Sequence, residues 1–156
     1  MNEKRHDKPG VIAPPPLLYL VALVIGLIWH VLVPVRPLPT AAARPLGGLM
    51  CIAGLAFAAR ARHVMRNAGT NINPYRPPTA LVCEGPFRIS RNPLYVSVTA
   101  LYVGVTLLVD ALWPLVLLPP LLVVMRVGVI DREERYLEAK FGEAYLDYKA
   151  RVRRWL

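Results

Sequence analysis

Three acidic residues within four positions, Asp131, Glu133 and Glu134, head a segment that is net basic and rich in aromatics, DREERYLEAKFGEAYLDYKARVRRWL. Carboxylates so placed either complement a helix N-terminus and pair with nearby arginines, or hold something cationic. A second polar stretch lies upstream: Gly85-Pro86-Phe87, then Ser90-Arg91-Asn92-Pro93-Leu94-Tyr95. Gly-Pro forces a turn, and Pro93 suits the first turn of a helix. Asn92 or Ser90 is placed to cap that helix, with Tyr95 projecting one turn in. This reads either as a capped interfacial helix start with an aromatic anchor or as one wall of a binding site. On the second reading Arg88 or Arg91 orients an anionic acceptor. Beyond the acids, Leu137, Phe141, Tyr145, Tyr148 and Val152 recur at spacings of four, four, three and four. They form an apolar-aromatic stripe, with Gly142 placed to break it, and packing explains such a stripe better than a cofactor contact. Cys51 and Cys83 stand apart and His6, His30 and His63 are scattered, so neither a disulfide framework nor a metal site is expected.

The elements that must position these residues are membrane helices. Of the 156 residues 55% are hydrophobic, and they come in long blocks rather than at amphipathic spacing. Blocks of that kind suit helices solvated by lipid, whose backbone groups are satisfied internally. The spans fall at about 13–33, 40–59, 94–109 and 111–130. Between the second and third lies a polar, proline-rich connector at 60–93, and after the fourth a charged tail at 131–156. Pro114, Pro119 and Pro120 predict a kink in the fourth span. Gly47, Gly48, Ala53 and Gly54 predict close packing of the second span against another helix.

The net charge is +9, yet the basic residues flank apolar blocks instead of lining a face with interleaved aromatics, which argues against nucleic acid. With four spans, Arg36 and Arg44 fall on one side and all other lysines and arginines on the opposite side. By the positive-inside rule that side is the cytoplasm, where both termini then lie. The sequence thus predicts a single membrane domain over 1–156. It is an all-α integral membrane, multi-pass fold of about four transmembrane helices with a C-terminal cytoplasmic amphipathic helix. A pocket is expected where 85–95 faces 131–148, open to water on one side and lipid on the other.

In these segments the sequence resembles the isoprenylcysteine carboxyl methyltransferase and phospholipid methyltransferase superfamily. Three elements over roughly 69–156 carry the resemblance: Leu81-Val82 to Gly85-Pro86-Phe87, Arg91-Asn92-Pro93-Leu94-Tyr95, and Glu133-Glu134 with Leu137, Phe141-Gly142, Tyr145 and Tyr148. The first two spans match only as generic membrane helices. The resemblance implies an S-adenosylmethionine-dependent methyltransferase acting on a membrane lipid or hydrophobic small-molecule acceptor at the cytoplasmic face. It implies Gly85, Pro86, Arg91, Pro93, Tyr95, Glu133 and Glu134 as cofactor-binding residues and Arg91 and Asn92 as candidate catalytic residues. Asn92 stands where prenylcysteine enzymes place His and resembles instead the Asn-Pro of phospholipid N-methyltransferases. Two other functions remain open, a non-catalytic membrane protein of the same fold and a membrane reductase using NADPH. The absence of a Gly-x-Gly-x-x-Gly loop after a strand excludes a soluble Rossmann-type methyltransferase.

Overall fold

The computed structural model describes residues 10–71 and 77–156. Lys4, Arg5, His6, Lys8 and Arg76, which entered the charge argument or the histidine inventory, lie outside the described residues. Within them all regular structure is helical: α1 (Pro15–Leu32), α2 (Thr40–Asn67), a 3-10 turn (Gly85–Arg88), α3 (Pro93–Val109), α4 (Leu112–Met125), a π-helical turn (Arg126–Ile130), α5 (Asp131–Phe141) and α6 (Glu143–Arg151). Proline opens α1 and α3, where a missing N–H costs nothing.

Three helices are long and apolar enough to cross a bilayer: Pro15–Leu32, Thr40–Asn67 and the continuous Leu112–Phe141. The fourth expected span, α3, is apolar but has 17 residues, about 26 Å at 1.5 Å per residue. That is short of ~30 Å of hydrocarbon.

Several boundaries differ from expectation. α2 runs on to Asn67, well past Ala59. Arg60 and Arg62 end a lipid-soluble stretch, but arginine is a good helix former and the helix itself continues. The chain does not leave the helix at Pro119 or Pro120; the irregularity comes later, in the π turn. The expected tail helix is split in two. Its first part, α5, prolongs the helix begun at Leu112, and Gly142 then breaks the chain at a φ of 55° that disfavours any side chain. Leu112–Phe141 spans 30 residues, about 45 Å, so its acidic third projects beyond a hydrocarbon layer of ~30 Å.

Helix α3 is central. α2 packs antiparallel along one side of it, close enough that backbones touch. A Cβ on Gly47 would lie 2.6 Å from the Gly104 carbonyl oxygen, and one on Gly104 would lie 2.9 Å from the Cys51 nitrogen. Two turns further along, Gly54 meets the carbonyl of Ser97. This is the small-residue packing expected of lipid-facing helices, where close van der Waals contact replaces the hydrophobic effect. On the other side α1 and α4 run antiparallel, Gly26 against Pro114 and Ile12 against Gly128. Their joint core is Tyr19, Tyr102, Leu121, Met125 and Val129. Tyr19 shares a hydrogen bond of 2.7 Å with Thr99, and the Tyr102 hydroxyl donates to the Pro114 carbonyl at 2.7 Å.

At one end of the bundle the 33–39 loop is tied to the α3–α4 turn. Asp110, left-handed at φ 59°, accepts a hydrogen bond from the Thr40 hydroxyl at 2.8 Å and faces Arg36 at 3.8 Å. Asp is among the few non-glycine residues that tolerate this conformation. The Leu112 N–H donates to the Val35 carbonyl and the Trp113 indole to that of Val33. The opposite end gathers the start of α1, the end of α2, the start of α3 and the end of α4. There the site is built.

Candidate functional site

At that end a cavity of about 360 Å³ opens between the helix termini. Its inner wall is apolar: Leu55 and Ala58 of α2, Val98 and Leu101 of α3, and Pro15 and Pro16 at the start of α1. The connector closes a flank with Thr70, Asn71, Leu81, Val82 and Phe87. Polar groups converge on the outer wall, where Arg91, Asn92 and Tyr95 face Glu133 and Tyr136. A mostly apolar cleft with a few convergent polar groups is the form that small-molecule sites take.

The two glutamates divide their labour. Glu133 lies on the cavity wall and accepts a hydrogen bond from the Tyr95 hydroxyl at 2.8 Å. Enclosure pushes its carboxyl up to about 7; the Tyr95 hydrogen bond opposes the rise and the neighbouring Glu134 adds to it. Glu134 is turned away from the cavity and buried. Arg154 grips it with two donors, Nε to Oε1 at 3.0 Å and Nη2 to Oε2 at 2.7 Å. Arg91 Nη2 approaches from the other side at 3.3 Å. Arg154 also reaches Asp131 at 2.9 Å, and its pairing with Glu134 holds its own proton more firmly than usual. Adjacent residues on a helix point about 100° apart, which is why one acid meets the cavity and the next meets arginines.

Arg91 has a side chain only 9% exposed, yet its Nε and Nη1 have no hydrogen-bond partner. Buried donors in this state cost free energy until something accepts from them, so a ligand oxygen gains by meeting them. Asn92 also lines the cavity, but its side chain does not cap α3 as the sequence suggested. Its amide donates to the Arg154 carbonyl at 3.0 Å, and the Ser90 hydroxyl donates to the same oxygen at 3.2 Å. With the Arg91 N–H donating to the Arg153 carbonyl, these bonds hold residues 152–155 as a strap across the segment before α3. Beside them Tyr145 and Tyr148, largely buried, also line the cavity, and the Tyr148 hydroxyl donates to the Phe87 carbonyl at 2.7 Å. Burial raises both phenols above their ordinary range, so they remain neutral. Burial likewise raises the Cys83 thiol, which argues against a thiolate nucleophile.

Of the residues singled out from sequence, Arg91, Asn92, Pro93, Tyr95 and Glu133 line one cavity, and so do Leu137, Tyr145 and Tyr148 of the stripe that was expected only to pack. Gly85 and Pro86 sit behind it in the 3-10 turn, Gly85 at φ 56° where a Cβ would lie 3.1 Å from Val64, and Glu134 stands one layer out. Sequence reasoning missed Arg154, which looked like one more flanking positive charge, and the contribution of α2. The stripe of small residues on α2 was the one signal that this helix lies against α3, and so beside the site.

The phospholipid methyltransferase family matches residues 43–144, about two thirds of the chain. The chain belongs to that family. The phospholipid methyltransferase match takes in most of α2, so the second helix is part of the family pattern and not a generic membrane helix. It ends before Tyr145, leaving Tyr148 and Arg154 outside. An uncharacterized protein of Haemophilus influenzae is 54% identical over 35 residues, which are 22% of this chain. The matched stretch spans 56% of that relative's length. No solved structure matches.

Proposed function

We propose that this phospholipid methyltransferase family member transfers a methyl group from S-adenosylmethionine to a lipid-like acceptor at the cytoplasmic membrane face. The observation that carries the reading is the outer wall of the cavity. A carboxylate and a buried guanidinium with free donors stand there together, above an apolar floor that reaches into the spans. S-adenosylmethionine, when bound, supplies a methyl group activated by a cationic sulfonium, beside an ammonium and a carboxylate. The residues present fit such a group. Arg91, Arg154, Glu134 and Asp131 form a set whose charges cancel, so ionised Glu133 places one uncancelled carboxylate on the outer wall, while Arg62 of α2 lines the same cavity. Arg91 Nε and Nη1 are the donors for the anionic end and Glu133 the counter-charge for the cationic end.

Leu55, Ala58, Val98 and Leu101 hold the acceptor's apolar portion and keep water from the reacting atoms. Positioning in a dry site supplies much of the acceleration that a transfer of this kind needs, without a side-chain nucleophile. α1 and α2 flank α3 on opposite sides, and the cavity lies between the start of one and the end of the other. A lipid-like molecule enters there from the adjoining leaflet. In this reading α3 is the fourth crossing, its shortness met by local thinning of the bilayer or by its burial among the other helices. The end bearing Arg60, Arg62, Arg66 and the α5–α6 arginines then faces the cytoplasm.

Calorimetric titration of detergent-purified protein with S-adenosylmethionine tests the reading, beside Glu133→Gln, which preserves the shape of the wall. Binding by the wild type that weakens at least tenfold in the variant supports it, and the next measurement is transfer of labelled methyl to membrane lipid extracts. A folded wild type that takes up NADPH and not S-adenosylmethionine overturns the reading in favour of a reductase. Uptake of neither leaves a membrane scaffold.

A further inference from the structure

We infer that Arg154 is a positioning residue: acting through Glu134, it fixes the Arg91 guanidinium so that its free donors form a subsite for the carboxylate of a ligand's amino-acid portion. The identity of that ligand rests on the methyl-transfer reading above; the geometry of the relay does not. Arg154 touches Glu134 with two nitrogens and both carboxylate oxygens are engaged, so the acid cannot rotate without losing a bond. Arg91 contacts one of the same oxygens through Nη2 alone. It is therefore anchored at one corner by a carboxylate that is itself immobilised, with Tyr145 beside it; the residue lines the cavity, and its Nε and Nη1 are enclosed without a hydrogen-bond partner.

Arg154 is held in turn from two directions. Its carbonyl accepts from Asn92 and Ser90, the residues flanking Arg91, while its side chain reaches across to Asp131 and Glu134 on α5. One residue thus joins the segment that carries Arg91 to the helix that carries Glu133. The arrangement explains why Glu134 is buried, and assigns it to orienting Arg91 rather than to contacting the ligand. Lysine in place of Arg154 keeps the charge but not the planar two-donor grip.

The test compares S-adenosylmethionine with its decarboxylated analogue, titrated calorimetrically into wild type, Arg154→Lys, Arg154→Ala, Arg91→Ala and the Arg91→Ala/Arg154→Ala double variant. The inference expects the wild type to prefer the carboxylated ligand. It expects Arg154→Ala and Arg154→Lys to weaken that ligand tenfold or more while changing the analogue less than twofold. It expects Arg154→Ala to cost nothing further once Arg91 is gone. A merely structural role for Arg154 weakens both ligands alike, and that result overturns the inference. So does full affinity in Arg154→Lys, an undiminished cost in the Arg91→Ala background, or equal affinity of the wild type for the two ligands. Should Arg154→Ala fail to give a monodisperse, cooperatively melting protein, Arg154→Lys decides alone. A folded wild type that binds neither ligand overturns the methyl-transfer reading and this inference with it. Binding of both ligands with indifference to Arg154 overturns only the relay.

Discussion

Glu133 and Glu134 differ by one position and by everything that surrounds them. Because the folded protein holds the Glu133 carboxyl at about 7, above its ordinary value near 4.3, the folded state binds a proton more tightly than the unfolded chain. The consequence for stability has a definite sign. As pH rises from the unfolded value through about 7 the folded protein loses stability, by a cost of order 4 kcal/mol at most, and no further loss comes from this group above that. Glu133→Gln should abolish this decline, measured as melting temperature against pH in detergent. Ligand affinity should run the opposite way. A cationic ligand needs the carboxylate, so binding should strengthen toward pH 7 and level off above it, a profile that calorimetry at stepped pH will trace and that Glu133→Gln will flatten. Glu134→Ala should behave quite differently. It strands two arginines, one of them buried, and removal of one partner of a buried pair costs about 3–5 kcal/mol. The expected sign is a large fall in melting temperature at every pH between 5 and 8.

Among the elements, the α2–α3 contact sets what the sequence tolerates. Gly104 faces the Cys51 and Gly47 backbones, whereas Gly48, one residue from Gly47, has nothing near it. Gly104→Val should therefore cost well over 1–3 kcal/mol, since backbone cannot yield as a side chain tip does. Gly48→Ala should be neutral or slightly stabilising through helix propensity. Denaturant melts of the two variants in one detergent will separate them; equal effects would mean that the helices are not seated as described. The same elements mark what was legible beforehand. The starts of α1, α2 and α3 follow from proline and hydropathy, and the break at Gly142 from glycine inside a helical stripe. The end of α2 was hidden, because charge announces where a chain leaves lipid and not where a helix stops. Arg91, Asn92, Tyr95 and Glu133 could be listed from sequence, but not Arg62, Thr70, Asn71 or Tyr136, nor which glutamate faces the cavity. Nor could the partner of Asn92, since Arg154 is 62 residues away and only folding brings its carbonyl there.

For the whole molecule the question is how the helices sit in a bilayer. Four crossings place residues 33–39 and Glu143 on opposite sides, while three crossings put them on the same side. In a protein with Cys51 and Cys83 replaced by alanine, single cysteines at Arg36 and Glu143 should react with an impermeant maleimide from opposite faces of sealed vesicles. Glu143→Cys should react only from the cytoplasmic face. Labelling of both from one face would remove α3 from the list of spans and with it the assignment of the basic end to the cytoplasm.

The strap at residues 152–155 also bears on how the protein is made. Arg154 follows α1 to α4 in the order of synthesis, yet its carbonyl and guanidinium complete the wall on which Arg91 and Glu133 stand. The spans can enter the bilayer one by one while that wall is still open. A chain stopped after Val152 should accordingly insert and fractionate with membranes while failing to bind S-adenosylmethionine, and ligand affinity, not membrane insertion, becomes the sign that this wall has closed.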